Sequence, residues 1–170
     1  MHMSPRLPAA VGSSDLGNLI VRRRMEFHDA PIRVRYAETD QMGVVYHSNY
    51  LIWFEIGRVE FLRALGFEYK LMESEDDCYI VVAEASCRYL QPARYDELLR
   101  VRTRISRAGN RIVKYAYELL RDSDGTLLAT GATTHVICGR DGKPKQLPEK
   151  YRAKFRHLAD KTAKKVATMK

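Results

Sequence analysis

Between Leu51 and Leu65 apolar residues fall on nearly every face of a 3.6-residue repeat. Leu51, Ile52, Trp53, Phe54, Ile56, Val59, Phe61, Leu62 and Leu65 span too wide an arc for a surface helix with one apolar stripe. The pattern predicts a mostly buried helix from about Asn49 to Leu65, with Ser48 or Asn49 as its N-cap and Gly66 as its stop. From Cys78 onward the period changes to two. Tyr79, Val81, Ala83, Ala85, Cys87 and Tyr89 form one face of a first strand, with Glu84, Ser86 and Arg88 opposite. Leu99, Val101, Thr103 and Ile105 then oppose Arg100, Arg102 and Arg104, and Val113, Tyr115, Tyr117 and Leu119 form the next inward set. The last run is Leu127 to Cys138, where Gly131 suggests a bulge or a close approach by the helix. Gly109-Asn110 and Asp124-Gly125 are turn signals between these runs.

Upstream, the stretch Glu26 to Tyr36 contains one more strand, with Val34 and Tyr36 alternating with Arg33 and Arg35. Pro148 suits the first turn of a C-terminal helix, with Tyr151, Phe155, Leu158 and Thr162 on one face. The order is strand, long helix, then four strands joined by short turns. It predicts an α+β fold, an antiparallel sheet of about five strands wrapped around one long central helix, plus a C-terminal helix. One sheet over one helix leaves edges and part of the helix uncovered, which points to self-association. The expected organisation is a disordered tail over 1–25, one domain over 26–147, and a basic helix over 148–170 packed on it.

Composition narrows the function. A chain of 170 residues that is 45% hydrophobic fits a single globular domain. Its net charge of +8 invites a nucleic-acid reading, but the charge is unevenly placed. Residues 1–25 hold 4 basic and 1 acidic side chains, and residues 141–170 hold 10 and 3. The intervening body holds 15 and 17, so it is nearly neutral, and no nucleic acid is expected as partner. No apolar run approaches the roughly 20 residues of a membrane helix, and no signal peptide is evident, so membrane insertion is not expected and the location is read as cytoplasmic. Cys78, Cys87 and Cys138 fit no zinc spacing and no disulfide framework. With no Gly-rich phosphate loop either, neither metal nor cofactor is expected.

The candidate chemistry lies where the first strand meets the helix. Asp40 sits in the turn and His47 at the helix entrance, an arrangement able to hold a reacting carbonyl between a base and a helix N-terminus. The segments Arg35-Tyr36, Thr39-Asp40, Gly43-Val44-Val45-Tyr46-His47, Asn49-Tyr50, Phe54-Glu55 and Arg58, with Tyr89, Pro92, Asp96 and Asp141-Gly142 later, resemble the hotdog-fold thioesterases. The likeness is to the group of 4-hydroxybenzoyl-CoA thioesterase and its Tol-Pal-associated relatives, over roughly residues 30–150. It implies a hotdog fold, acyl-CoA as substrate, a homodimer or homotetramer, and an active site at a subunit interface. It also implies a catalytic role for Asp40 and a thioester carbonyl polarised by the backbone N–H of His47.

Each residue keeps an alternative. Asp40 can act as nucleophile or general base, or simply bond its own backbone in the turn. The His47 side chain can bond the carbonyl, orient Asp40 or pack. Tyr36 can orient the carboxylate, line the acyl pocket or pack. Glu55 is expected to pair with Arg58, and His135 to make a core hydrogen bond. Arg88, Arg107, Arg111, Lys114, Arg140 and Lys143 are candidates for the CoA phosphates. An acyl-carrier-protein thioesterase, drawn to the basic C-terminal helix, and a non-catalytic binding or scaffold module are the competing functions.

Overall fold

A computed structural model describes residues 26–168, with side chains described through residue 161. The expected N-terminal tail therefore lies outside the described residues. Five strands form one antiparallel sheet: β1 (His28–Arg33), β2 (Tyr79–Tyr89), β3 (Leu98–Ala108), β4 (Ile112–Arg121) and β5 (Leu127–Cys138). Their order is β1-β3-β4-β5-β2, so β2 is an edge. Helix α1 (Asn49–Ala64) lies against the concave face, and α2 (Tyr69–Ser74) follows it. Helix α3 (Glu149–Thr168) closes the C-terminal side. One sheet around one long helix is the architecture the alternation predicts.

The inward sets of β3 and β4 are as expected. Leu99, Val101, Thr103, Ile105, Val113, Tyr115, Tyr117 and Leu119 are all buried. The opposing arginines are not merely solvated. Arg102 and Arg100 both reach Asp29 on β1, Arg104 reaches Glu118, and Arg121 reaches Glu97. The hydrogen-bonded Arg102 guanidinium holds the Asp29 carboxyl below its usual range.

Helix α1 is pressed close to the sheet at two glycines. A Cβ on Gly131 would stand 2.2 Å from Phe54 Cε2, and one on Gly57 would stand 2.5 Å from Val101 Cγ1. Gly131 thus marks the close approach, and the strand irregularities lie elsewhere. Gly66 ends α1 at φ +81°, as its C-terminal position predicts. The Lys154 ammonium of α3 donates to the Leu65 carbonyl at that same end, 2.5 Å away. Tyr151, Phe155 and Leu158 of α3 are buried, with Phe67 against the first two rings.

Three expectations differ from what is observed. The face of β2 is not continuous: a register shift between Val82 and Glu84 reverses its phase. Ile80 and Val82 face inward before it, and Ala85, Cys87 and Tyr89 after it, while Ala83 joins the outer face. The first strand ends at Arg33. Val34 is buried, but the Glu38 carboxylate then accepts the Arg35 N–H as the chain winds a 3-10 turn over Tyr36–Glu38. Tyr36 leaves the sheet plane and is 78% exposed. Lastly, α1 is not buried all round. Tyr50, Trp53, Phe54, Phe61 and Leu62 face the sheet, whereas Leu51, Ile52 and Ile56 stay exposed, Leu51 beside Val82 of β2.

Candidate active site

The loop between β1 and α1 is drawn into a narrow turn. Asp40 N–H donates to the Val44 carbonyl at 2.9 Å, and Gly43 N–H donates back to the Asp40 carbonyl at 3.0 Å. Gly43 adopts φ +71°, which suits a residue without Cβ. Thr39 and Val45 form a β-bridge below the turn, and Val45 N–H reaches the Ala93 carbonyl. Asp40 does bond its own backbone: Oδ1 accepts the Met42 N–H at 2.8 Å. Its other carboxylate oxygen has no partner among the described residues. The turn geometry therefore fixes the carboxyl without occupying it.

Asp40 and His47 line one cavity of about 420 Å³, with Tyr46, Tyr50, Tyr89 and Pro92 among its walls. Tyr36 is not among its lining residues. Its ring packs edge-on against Tyr95, with centroids 5.7 Å apart. The His47 side chain is exposed and leans on the Tyr46 ring, 4.3 Å between centroids. The protomer brings Asp40 and His47 together and leaves Tyr36 outside.

The helix entrance is left open to a ligand. Ser48 holds the N-cap position without a capping side-chain bond. Asn49 sends its amide to the Glu38 carbonyl instead, at 2.9 Å. Among the described residues the N–H groups of His47 and Ser48 have no hydrogen-bond partner. Two free N–H groups at a helix N-terminus beside a half-exposed carboxylate can hold a carbonyl oxygen as it gains charge.

Two supports of this arrangement were not singled out from the sequence. Glu38 is a buried carboxylate. It accepts from Arg35 N–H at 2.7 Å, from the Arg35 guanidinium at 2.9 Å and from Trp53 Nε1–H at 3.1 Å. Its carbonyl takes the Tyr46 N–H at 2.9 Å as well as the Asn49 amide. Glu38 thereby ties the Asp40 loop to α1. The signal available was a carboxylate three residues after Arg35, followed by a tryptophan in the helix. Tyr89 is the other support: its hydroxyl donates to the His47 carbonyl at 3.0 Å, and its ring meets Tyr50 edge-on at 5.0 Å.

Burial pushes the Glu38 carboxyl up, but its bonds to Arg35 and Trp53 together outweigh this and leave it below the usual range. A carboxyl lowered in the folded state adds stability above its unfolded pKa, and that stability is lost as pH falls through the folded value. Glu38→Gln is expected to cost about 1–3 kcal/mol in urea unfolding at neutral pH. The difference from the parent protein should shrink below pH 4. An unchanged denaturation midpoint would contradict the tie.

Of the basic candidates for a CoA tail, Arg107, Arg111 and Lys114 gather at a groove of about 900 Å³ on the outer face of the sheet. None of the three has an ion pair among the described residues. Arg140 and Lys143 are engaged, with Tyr79 and Asp141 respectively. No group of side chains suited to a metal ion occurs among the described residues. No helix there is long and apolar enough to cross a membrane.

The chain matches the thioesterase-like superfamily over residues 34–155. It is 37% identical over 130 residues to the acyl-CoA thioesterase YbgC of Haemophilus influenzae, covering 75% of this chain and 93% of that one. It is 38% identical over 116 residues to a putative acyl-CoA thioesterase, YneP, of Bacillus subtilis, covering 68% and 83%. Among solved structures, DHNA-CoA thioesterase from Staphylococcus aureus superposes with a TM-score of 0.72 at 31% identity, covering 85% and 95%.

Proposed function

This chain belongs to the thioesterase-like superfamily and hydrolyses acyl-CoA thioesters, and we propose that it does so at the Asp40 turn and the entrance of α1. The observation that carries the placement is the pair of free N–H groups of His47 and Ser48 at the helix entrance, with His47 lining the same cavity as Asp40. The thioester carbonyl accepts from the helix entrance, chiefly from His47 N–H. Asp40 either draws a proton from a water whose oxygen attacks the carbonyl carbon, or attacks that carbon itself to form a mixed anhydride that water then hydrolyses. In either route the C–S bond breaks, the thiolate leaves as CoA and takes up a proton, and the acid departs. The His47 imidazole has no assigned part, because the backbone supplies the donor.

Tyr89 holds this donor site in place. A peptide unit is planar, so fixing the His47 carbonyl also fixes the direction of the Ser48 N–H. Tyr89→Phe keeps the ring against Tyr50 and removes only the hydroxyl. Steady-state kinetics should show kcat lowered about tenfold with KM nearly unchanged, the worth of one hydrogen bond to the donor unit. A loss carried entirely by KM would contradict it.

The exposed apolar strip of Leu51, Ile52 and Ile56 lies beside the unpaired edge of β2. We place a second copy of the chain on it, giving a homodimer, with a dimer of dimers as the larger form. Val82→Lys with Ile52→Lys puts charge on both parts of that surface. Sedimentation should then show the monomer where the parent protein sediments as a dimer or larger. A parent protein that sediments as a monomer would sink this assembly.

The experiment for the reaction is thiol release from a panel of acyl-CoA esters differing in chain length. Steady turnover on at least one member is expected. The same acyl chain carried on acyl carrier protein separates the competing substrate class. No turnover on any member would leave a binding module as the function.

A further inference from the structure

A second cavity, of about 290 Å³, lies between α1 and the sheet, lined by Glu55, Arg58, Tyr117, Thr133 and His135 with apolar neighbours. It follows the catalytic cavity along the same seam. Tyr50 and Tyr89 line the first, and Leu51 and Ala85 line the second. Arg58 is ten residues beyond Ser48, about 15 Å of helix. Only an acyl group several carbons long reaches from the helix entrance toward it.

Arg58 is 8% exposed, yet it has no carboxylate partner among the described residues. Its guanidinium donates to the Tyr69 hydroxyl and lies over that ring, 5.3 Å from the centroid. The expected pairing with Glu55 does not form, because Glu55 points to the exposed side of the helix while Arg58 is turned under it. On the opposite wall, the Tyr117 hydroxyl and Thr133 Oγ1 are 2.7 Å apart, and Thr133 Oγ1 and His135 Nε2 are 2.8 Å apart. The expected core bond of His135 is therefore present. Its Nδ1, buried toward Ile80, makes no well-formed hydrogen bond. Burial and the nearby Arg58 charge push the His135 pKa down to about 4, so the imidazole is neutral. A guanidinium carries only donors, and the Tyr69 hydroxyl that accepts from it is neutral, so its buried charge has no anionic partner among the described residues, which is costly.

We infer that this cavity receives the far end of the acyl group and selects thioesters whose far end carries an acceptor oxygen, hydroxyl or carboxylate, paired by Arg58. The inference rests on hydrolysis at the helix entrance. A methyl end would cover Arg58 without satisfying it, whereas an oxygen would complete its bonds. Glu55, at the exposed side, remains in solvent and is screened there.

Binding separates this from catalysis. Full-length Asp40→Asn protein would be titrated calorimetrically with octanoyl-CoA, its 8-hydroxy analogue and its 7-carboxyheptanoyl counterpart. At least one oxygen-ended thioester should bind about tenfold tighter than octanoyl-CoA, and the stronger of the two identifies the oxygen as hydroxyl or carboxylate. Adding Arg58→Met should bring the three within about twofold of one another. Thr133→Val, nearly isosteric, gives a second route to a reduced preference should Arg58→Met not fold. Octanoyl-CoA binding as tightly as both analogues, or a preference that survives these substitutions, overturns the inference while wild-type hydrolysis stands. No binding by any of the three, with no turnover by the wild type, removes both.

Discussion

Asp40→Asn lowers kcat for acyl-CoA hydrolysis by about a thousandfold, the middle of the range for a positioned base, and leaves KM within a few-fold. The amide keeps the size of the carboxylate and can still accept the Met42 N–H through its oxygen. The turn therefore survives, since Asp40 N–H to Val44 and Gly43 N–H to Asp40 are backbone bonds. What is lost is the negative oxygen that accepts a proton or attacks carbon. His47→Ala should cost much less, because the donor assigned to His47 belongs to the main chain. A thiol-release assay on both variants checks this contrast. Equal losses would move the chemistry to the imidazole.

Gly131→Ala destabilises the domain by about 3 kcal/mol, the upper part of the usual range for overpacking, and lowers the melting temperature by roughly 6–12 °C. The added methyl would meet Phe54 Cε2 at 2.2 Å, Phe54 Cζ at 2.7 Å and the Ser86 carbonyl at 2.9 Å. Phe54 cannot retreat easily. It is 1% exposed and stacks on Tyr117 with centroids 4.6 Å apart and planes 10° from parallel. Relief requires α1 to lift from the sheet, which would shift the helix entrance as well. Gly109→Ala is the control, since its methyl meets only the Ile112 carbonyl at 3.5 Å. Calorimetric melting of both variants tests the claim, and equal melting temperatures would refute it.

Strands with regular alternation were legible because one periodicity decides both faces. β3 and β4 follow it through their central residues, so their inward sets could be read directly. In β2 the expected face holds from Ala85 to Tyr89 but is inverted before the bulge, where Ile80 and Val82 replace Tyr79 and Val81, because a bulge leaves no compositional mark. Tyr36 was misplaced for a related reason. Alternation continues on paper beyond Arg33, but the buried Glu38 carboxylate captures the Arg35 backbone and ends the strand. The breadth of apolar residues on α1 was visible, but not that Leu51, Ile52 and Ile56 face outward. An exposed apolar surface has the same composition as a core.

At the site, Asp40 and His47 were legible as residues, and Gly43 as the turn between them. The roles of Glu38 and Tyr89 depend on contacts across 15 and 42 residues, to Trp53 and to the His47 carbonyl. Glu55 and Arg58 show the limit of spacing rules. Their separation of three permits an ion pair, but burial of one partner and exposure of the other keeps them apart.

The placement of the reaction is tested most directly by a crystal structure of Asp40→Asn protein holding an unhydrolysed acyl-CoA on which the wild type turns over. The thioester oxygen should lie about 3 Å from the His47 N–H, with the carbonyl carbon facing the side chain at position 40. A thioester bound away from the entrance of α1, with that N–H still unpaired, would contradict it.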